Sequence, residues 1–240
     1  MGSPYGTDSV AANRTTKSRR DYLFVGLFSK FAAMIPARRV KWMSNWFAKY
    51  MRYRMRKAFN QIVVMPFEPK PGHSILLLCN HFSWWDGFFG NYLAYWHLDR
   101  NLYIMMQQDH LEKRWLFNYF GGFSIEKGSR ETVKSLLYAA DLLNNPENLV
   151  VVFPQGELIS NHATEIKIES GIGRLIRNVK GPCQIVYSCV LIDYFESLKP
   201  SAYIHLFDCG VAGEVPFDEM VENINTFHRK ALKDQINVEH

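Results

Sequence analysis

Residues 80–86, Asn-His-Phe-Ser-Trp-Trp-Asp, follow directly on the apolar run Ser74–Cys79 and place a base and an acid five positions apart. An imidazole can take a proton from a hydroxyl near neutral pH, and a carboxylate bonded to its other nitrogen fixes the tautomer. Together His81 and Asp86 supply two members of a triad, with the hydroxyl of a substrate in the place of the serine. Within a regular helix a spacing of five turns two side chains about 140° apart. The pair therefore needs a loop: a helix starting near Ser83 puts Asp86 in its first turn and leaves His81 free to fold back over it. The spacing alone is weak, because eight His and ten Asp among 240 residues yield one such pair in about one chain in three. Taken singly, Asp86 also reads as an ordinary first-turn acid and His81 as a surface histidine.

A second polar cluster, Phe153-Pro154-Gln155-Gly156-Glu157, also follows an apolar run. Proline and glycine there read as a tight turn leaving a strand. A glycine also lets backbone approach a substrate, where its N–H can serve an oxyanion. Short apolar or β-branched runs bounded by turn residues predict strands at 74–79, 102–106, 123–126, 149–153, 184–191 and 202–207. Helical periodicity fills the intervals at 84–97, 109–119, 130–143 and 171–178, and a last helix is expected over 217–235 behind Pro216. This alternation predicts an α/β fold with a mixed, mainly parallel sheet flanked by helices. In such sheets chemistry gathers beyond the carboxyl ends of the strands, where both polar clusters fall.

Charge divides the chain unevenly. Residues 1–67 carry 13 Lys/Arg against Asp8 and Asp21, a net of +11, whereas residues 68–240 carry 15 Lys/Arg against 21 Asp/Glu, a net of −6. The expected organisation is a disordered tail over 1–20, a basic amphipathic helical membrane-associating segment over 21–67, and the α/β domain over 68–240. No acidic residue occurs from Tyr22 to Phe67. There Trp42, Trp46, Tyr50 and Tyr53 recur at helical spacing, flanked by Met43, Phe47, Met51 and Met55, with Lys41, Lys49, Arg52 and Arg56 on the other side. Tryptophan and tyrosine beside arginine suit the head-group level of a bilayer, so Trp42, Trp46, Arg52 and Arg56 are the expected membrane contacts. Packing of this helix on the core with a solvated basic face is the simpler alternative. Cys79, Cys183, Cys189 and Cys209 show no metal-ligand spacing and are expected to be reduced core residues. The polar first 20 residues present no secretory signal. No metal is expected, since the eight histidines contain no HxxxH or HExxH spacing.

Three blocks in order, Asn-His-Phe-Ser-Trp-Trp-Asp, then Gly121-Gly122-Phe123-Ser124-Ile125-Glu126-Lys127, then Val152-Phe153-Pro154-Gln155-Gly156-Glu157, resemble the glycerophospholipid acyltransferases, the 1-acylglycerol-3-phosphate acyltransferases and their relatives. The resemblance spans most of residues 40–210. It implies His81 as general base and Asp86 as its orienting partner. It further implies Asn80, Lys127, Pro154, Gln155, Gly156 and Glu157 as acceptor-holding residues, with Arg130 as a further candidate.

The departures from the family pattern bear on the acceptor. Lys127 stands where the family carries arginine, Gln155 replaces a glutamate, Glu157 a threonine and Leu158 an arginine, and Tyr187 falls where a proline is expected. A guanidinium grips phosphate bidentately and an ammonium does not, so an acceptor hydroxyl without a phosphomonoester is expected. The resemblance implies O-acyl transfer from acyl-CoA or acyl carrier protein as co-substrate, with no cofactor, at the cytoplasmic face of a membrane held peripherally or monotopically. A non-catalytic lipid-binding or scaffold protein of the same fold is the alternative. Nucleic-acid binding would leave the acidic body and the His81–Asp86 block without a purpose.

Overall fold

The computed structural model describes residues 34–126, 128 and 131–237. Seven strands form one sheet: β1 Ile62–Val64, β2 Ser74–Cys79, β3 Asn101–Gln107, β4 Gly122–Ile125, β5 Asn148–Val152, β6 Cys183–Asp193 and β7 Ser201–Val211. Their order across the sheet is β1-β7-β6-β2-β5-β3-β4. The pairs are parallel except β6 with β7. The mixed, mainly parallel sheet expected from the sequence is the one observed.

Central strands covered on both faces carry no polar alternation. All six residues of β2, Ser-Ile-Leu-Leu-Leu-Cys, are buried, as are all five of β5. The strand period of two sends Leu76 and Leu78 into one core and Ile75, Leu77 and Cys79 into the other. Burying each such leucine contributes about 1.5–3 kcal/mol over leaving it exposed.

Among the described residues seven helices accompany the sheet: α1 Lys41–Ala58, α2 Trp85–Trp96, α3 Gln108–Lys113, α4 Leu116–Tyr119, α5 Glu131–Leu142, α6 Gly171–Asn178 and α7 Phe217–Ile236. Met55 and Phe59 of α1 and its exit pack with Phe89 and Leu93 of α2 over one face. Leu136, Ile172, Leu175 and Ile224, from α5, α6 and α7, close the other. In α7 the buried set is Met220, Ile224, His228, Ala231 and Gln235, a stripe at spacings of three and four.

Two expectations need correction. The described part of the 21–67 segment is not separate from the sheet, because Ile62–Val64 pairs with Ala202–Ile204 as edge strand β1, and the described residues form one compact unit. Three residues are too few to show a strand period, which hides β1 in the sequence. The single helix expected over 109–119 is two, because the chain leaves helical geometry at Arg114 (φ −130°, ψ 52°). The short α4 then brings Phe117 and Phe120 against Phe47 of α1. In α1 the buried residues are Ser44, Ala48, Met51 and Met55, so the small side chains face the core. Trp42, Trp46, Tyr50 and Tyr53 point outward, Trp42 at 72% exposure. Residues 1–33, including the expected tail, lie outside the described residues. No helix among the described residues is long and apolar enough to cross a membrane.

Candidate active site

The chain leaves β2 at Cys79 with its next three residues committed to backbone. Asn80 is buried; its Nδ2 donates to the Val190 carbonyl and its Oδ1 accepts from the Val190 N–H, both at 2.9 Å. The side chain thus extends the β2–β6 pairing by one step. Asn80 does not line the cavity described below; its side chain fixes the strand exit. The His81 N–H donates to Gln155 Oε1 at 2.7 Å, and the His81 carbonyl accepts from the Ile159 N–H at 2.8 Å. Gln155 is likewise buried away from the cavity wall. It ties the loop after β2 to the loop after β5, which are neighbours because β2 and β5 pair in parallel.

Asp86 sits in the first turn of α2 and is buried. Its Oδ2 accepts from the Phe82 N–H at 2.7 Å, from the Ser83 N–H at 2.8 Å, and meets His81 Nδ1 at 2.8 Å. Ser83 Oγ accepts from the Trp85 N–H at 3.0 Å and approaches Asp86 Oδ1 at 3.3 Å. A carboxylate oxygen that accepts from two backbone N–H groups accepts at Nδ1 as well, so Nδ1 carries the ring proton and Nε2 the lone pair. The Phe153 ring stacks on the imidazole with centroids 4.2 Å apart. The His81 side chain is 24% exposed, and among the described residues Nε2 has no hydrogen-bond partner. One nitrogen is held and the other is available, the arrangement a general base requires.

His81 opens on a cavity of about 820 Å³. Its apolar wall includes Phe47, Phe88, Leu102, Met105, Phe117 and Phe120, and its polar wall Ser83, Glu157, Glu169, Arg174 and Arg177. A space of that size, mostly apolar with a few polar groups, suits one elongated amphiphile. Pro154, Gly156 and Glu157 also line it. Gly156 adopts φ +68°, which a glycine takes without strain, and its N–H donates to the Phe153 carbonyl at 3.1 Å. That N–H closes the turn and is spent, which removes it as the oxyanion donor.

Lys127 and Arg130 lie outside the described residues. Arg174 and Arg177, one turn apart on α6, were missed in the sequence; their only signal is an i, i+3 pair of arginines on a short helix. Tyr187, at the proline position of the fourth block, is buried in β6 and bonded to His228 Nδ1 at 2.9 Å.

No thiol competes as nucleophile. All four cysteines are free and buried. Burial, and after it the Asp86 charge, pushes the Cys79 thiol far above its ordinary range, so it stays protonated. Among the described residues no group of three or more His, Cys, Asp or Glu could hold a metal ion.

The fold and site define an α/β protein with a His–Asp pair beyond the carboxyl ends of a parallel sheet, facing a largely apolar cavity. The family model described as Acyltransferase matches residues 61–191, more than half of the chain, and the chain belongs to this family. The crystal structure of the 1-acyl-sn-glycerophosphate (LPA) acyltransferase PlsC from Thermotoga maritima is similar with a TM-score of 0.59 at 16% identity, covering 92% of this chain and 90% of that chain. At that identity the likeness establishes the shared fold. A comparison with curated proteins finds no match.

Proposed function

We propose that the protein transfers a fatty acyl group from a thioester, acyl-CoA or acyl carrier protein, to a hydroxyl of a lipid or lipid precursor. The observation that carries this reading is the His81 ring, held at Nδ1 by Asp86 at 2.8 Å and exposed on the cavity. The unprotonated Nε2 takes the proton of the acceptor hydroxyl as its oxygen attacks the thioester carbonyl. The tetrahedral oxyanion collapses, the C–S bond breaks, and the imidazolium returns its proton to the leaving thiolate. Asp86 keeps the ring in one tautomer and stabilises the imidazolium. The products are an ester and a thiol, and no acyl-enzyme is needed.

The apolar wall formed by Phe47, Phe88, Phe117 and Phe120 supports an alkyl chain as part of the substrate. Loss of the family's arginine at Leu158 weakens a phosphate clamp, yet Arg174 and Arg177 return two guanidinium groups to the same cavity. The acceptor is therefore a lipid hydroxyl with or without a phosphate, and Lys127 and Arg130 remain proposed contacts. Peripheral membrane attachment through Trp42, Trp46, Arg52 and Arg56 of α1 is supported by the exposure of both tryptophans and the absence of acidic residues on α1. The cytoplasmic face is what the family resemblance implies.

The test is thiol release from acyl-CoA and from acyl carrier protein, with monoacylglycerol and lysophosphatidate as acceptors. Ester formation with either acceptor supports the reading. No thiol release with any donor–acceptor pair, from folded protein, would leave the non-catalytic lipid-binding alternative.

A further inference from the structure

We propose that Arg114, Trp115 and Leu116, distant in sequence from α1, form a second membrane anchor that shares one bilayer-docking surface with Trp42 and Trp46. The partner is an anionic phospholipid bilayer. Trp46 and Trp115 are each 60% exposed and Leu116 is 46% exposed, and residues 112–116 are exposed without interruption. Side chains of this size left open in a group mark a contact surface.

Continuity of the two anchors follows from the contacts beneath them. The Val40 N–H and Ser44 Oγ, at the start of α1, both bond the Tyr119 carbonyl, at 2.9 and 3.3 Å. Trp115 meets the Tyr119 ring edge-on at 5.9 Å. Arg114 lies over the Trp84 ring at 4.3 Å, and Trp84 belongs to the loop that carries His81. These contacts set the start of α1 beside Tyr119, with Trp115 and Arg114 between Tyr119 and the edge of the catalytic loop.

Charge selects the occupant. Lys41, Lys49, Arg54, Arg56 and Lys57 accompany the α1 aromatics with no carboxylate on that helix. The acids nearest Trp115 in sequence, Asp109 and Glu112, are matched in number by Lys113 and Arg114; Asp109 pairs with Lys113 at 3.7 Å and Glu112 accepts from the Gln108 amide at 3.0 Å. A second copy of this chain seated on the patch would set basic face against basic face, whereas anionic head groups complement it. Tryptophan rings and arginine suit the interface between head groups and acyl chains.

The patch adjoins the cavity along the chain without lining it. Trp46 precedes Phe47 and Leu116 precedes Phe117, and both phenylalanines line the cavity. A lipid acceptor would reach His81 across the α1–α4 seam without leaving the apolar phase. This last step rests on the lipid-acceptor reading; the anchor itself does not.

Flotation of the full chain with vesicles measures the anchor without turnover. Replacing both Trp115→Ser and Leu116→Ser removes two apolar contacts, so partition to vesicles should fall by about tenfold. Arg114→Gln should weaken binding to phosphatidylglycerol-containing vesicles and leave binding to phosphatidylcholine vesicles unchanged. In the unsubstituted chain, vesicles should slow amide hydrogen exchange over residues 112–117, a readout independent of any variant's folding. Unchanged partition together with unprotected exchange would overturn the proposal. So would a dimer, in the absence of lipid, that the double substitution dissolves. Acyl transfer to a water-soluble short-chain acceptor should persist in the double variant. Absence of that transfer in the unsubstituted chain would count against the proposed function and leave the anchor standing.

Discussion

His81 and His228 present the same imidazole in two arrangements. His228 is buried with both nitrogens engaged: Nδ1 with Tyr187 Oη at 2.9 Å and Cys189 Sγ at 3.2 Å, and Nε2 with the Ala163 carbonyl at 2.8 Å. Since a carbonyl only accepts, Nε2 carries the proton and Nδ1 accepts from the tyrosine hydroxyl. That ring ties α7 to β6 and to the loop ahead of α6, and it has no nitrogen left for a substrate. His81 has one nitrogen tied to Asp86 and the other on the cavity. The partners, more than the ring, separate the proposed proton carrier from a fastener. A fully bonded histidine contributes order, and a half-bonded one keeps a nitrogen open to a substrate.

The sharpest way to break this contrast is to remove each ring. His81→Ala should lower kcat by about a thousandfold, within the range a positioned base supplies, while the melting temperature stays near that of the unsubstituted chain because the ring is partly solvated. Activity within a few-fold of the unsubstituted enzyme would place the base elsewhere. Asp86→Asn should cost about a hundredfold in kcat, at the low end of what a positioned base supplies. An amide cannot serve all three donors at Oδ2 and also fix the tautomer, so melting should fall as well. Full activity in that variant would show that the backbone bonds to Phe82 and Ser83 alone position the loop.

The local part of this site was legible in the sequence and the long-range part was not. A strand of six buried residues that ends in Asn-His, with an acid five positions on, constrains the loop to fold back, and His81 and Asp86 meet as their spacing allows. The strand–turn exit at Phe153–Gly156 is legible for the same reason: its turn residues act within four positions. The family resemblance implies Asn80 and Gln155 as acceptor contacts. Their partners, Val190 and His81, lie 110 and 74 residues away, and residue type says nothing about which backbone group will arrive. The inward face of α1 was hidden differently. Its Trp/Tyr and Ser/Ala/Met stripes both have helical period, and only close packing against α2 selects the smaller side chains. Arg174 and Arg177 escaped notice because their place on the cavity wall depends on how α6 docks against α5.

On the His228 side the expected effect is on stability. His228→Ala leaves the Tyr187 hydroxyl and the Ala163 carbonyl without their partner and opens a void, which should cost about 2 kcal/mol of unfolding free energy. Urea denaturation reads this directly, and kcat of the folded fraction should stay within about twofold. A loss of kcat as large as that in the His81 variant, with stability intact, would abolish the distinction between the two rings.

The smallest effect separates the rings by pH. Burial holds the His228 pKa below 6.5, with the Ala163 carbonyl opposing in part and Arg229 adding to the depression. The unfolded chain takes up a proton near pH 6.5 that the folded chain refuses, so the unfolded state binds more protons as pH falls through that value. The stability contribution is therefore complete above about pH 6.5 and is lost progressively below it, down to the folded pKa. His205 and His97 are shifted the same way, each chiefly by burial, so the urea midpoint should drop between pH 7.5 and 5.5, a window above the carboxylate range of about pH 4. His228→Gln keeps a donor and an acceptor at that place in the core without a titrating ring. Its midpoint should start lower at pH 7.5 and fall less by pH 5.5. An undiminished fall would assign the acid sensitivity to His205 and His97, and would leave His228 as a fastener that never meets a proton.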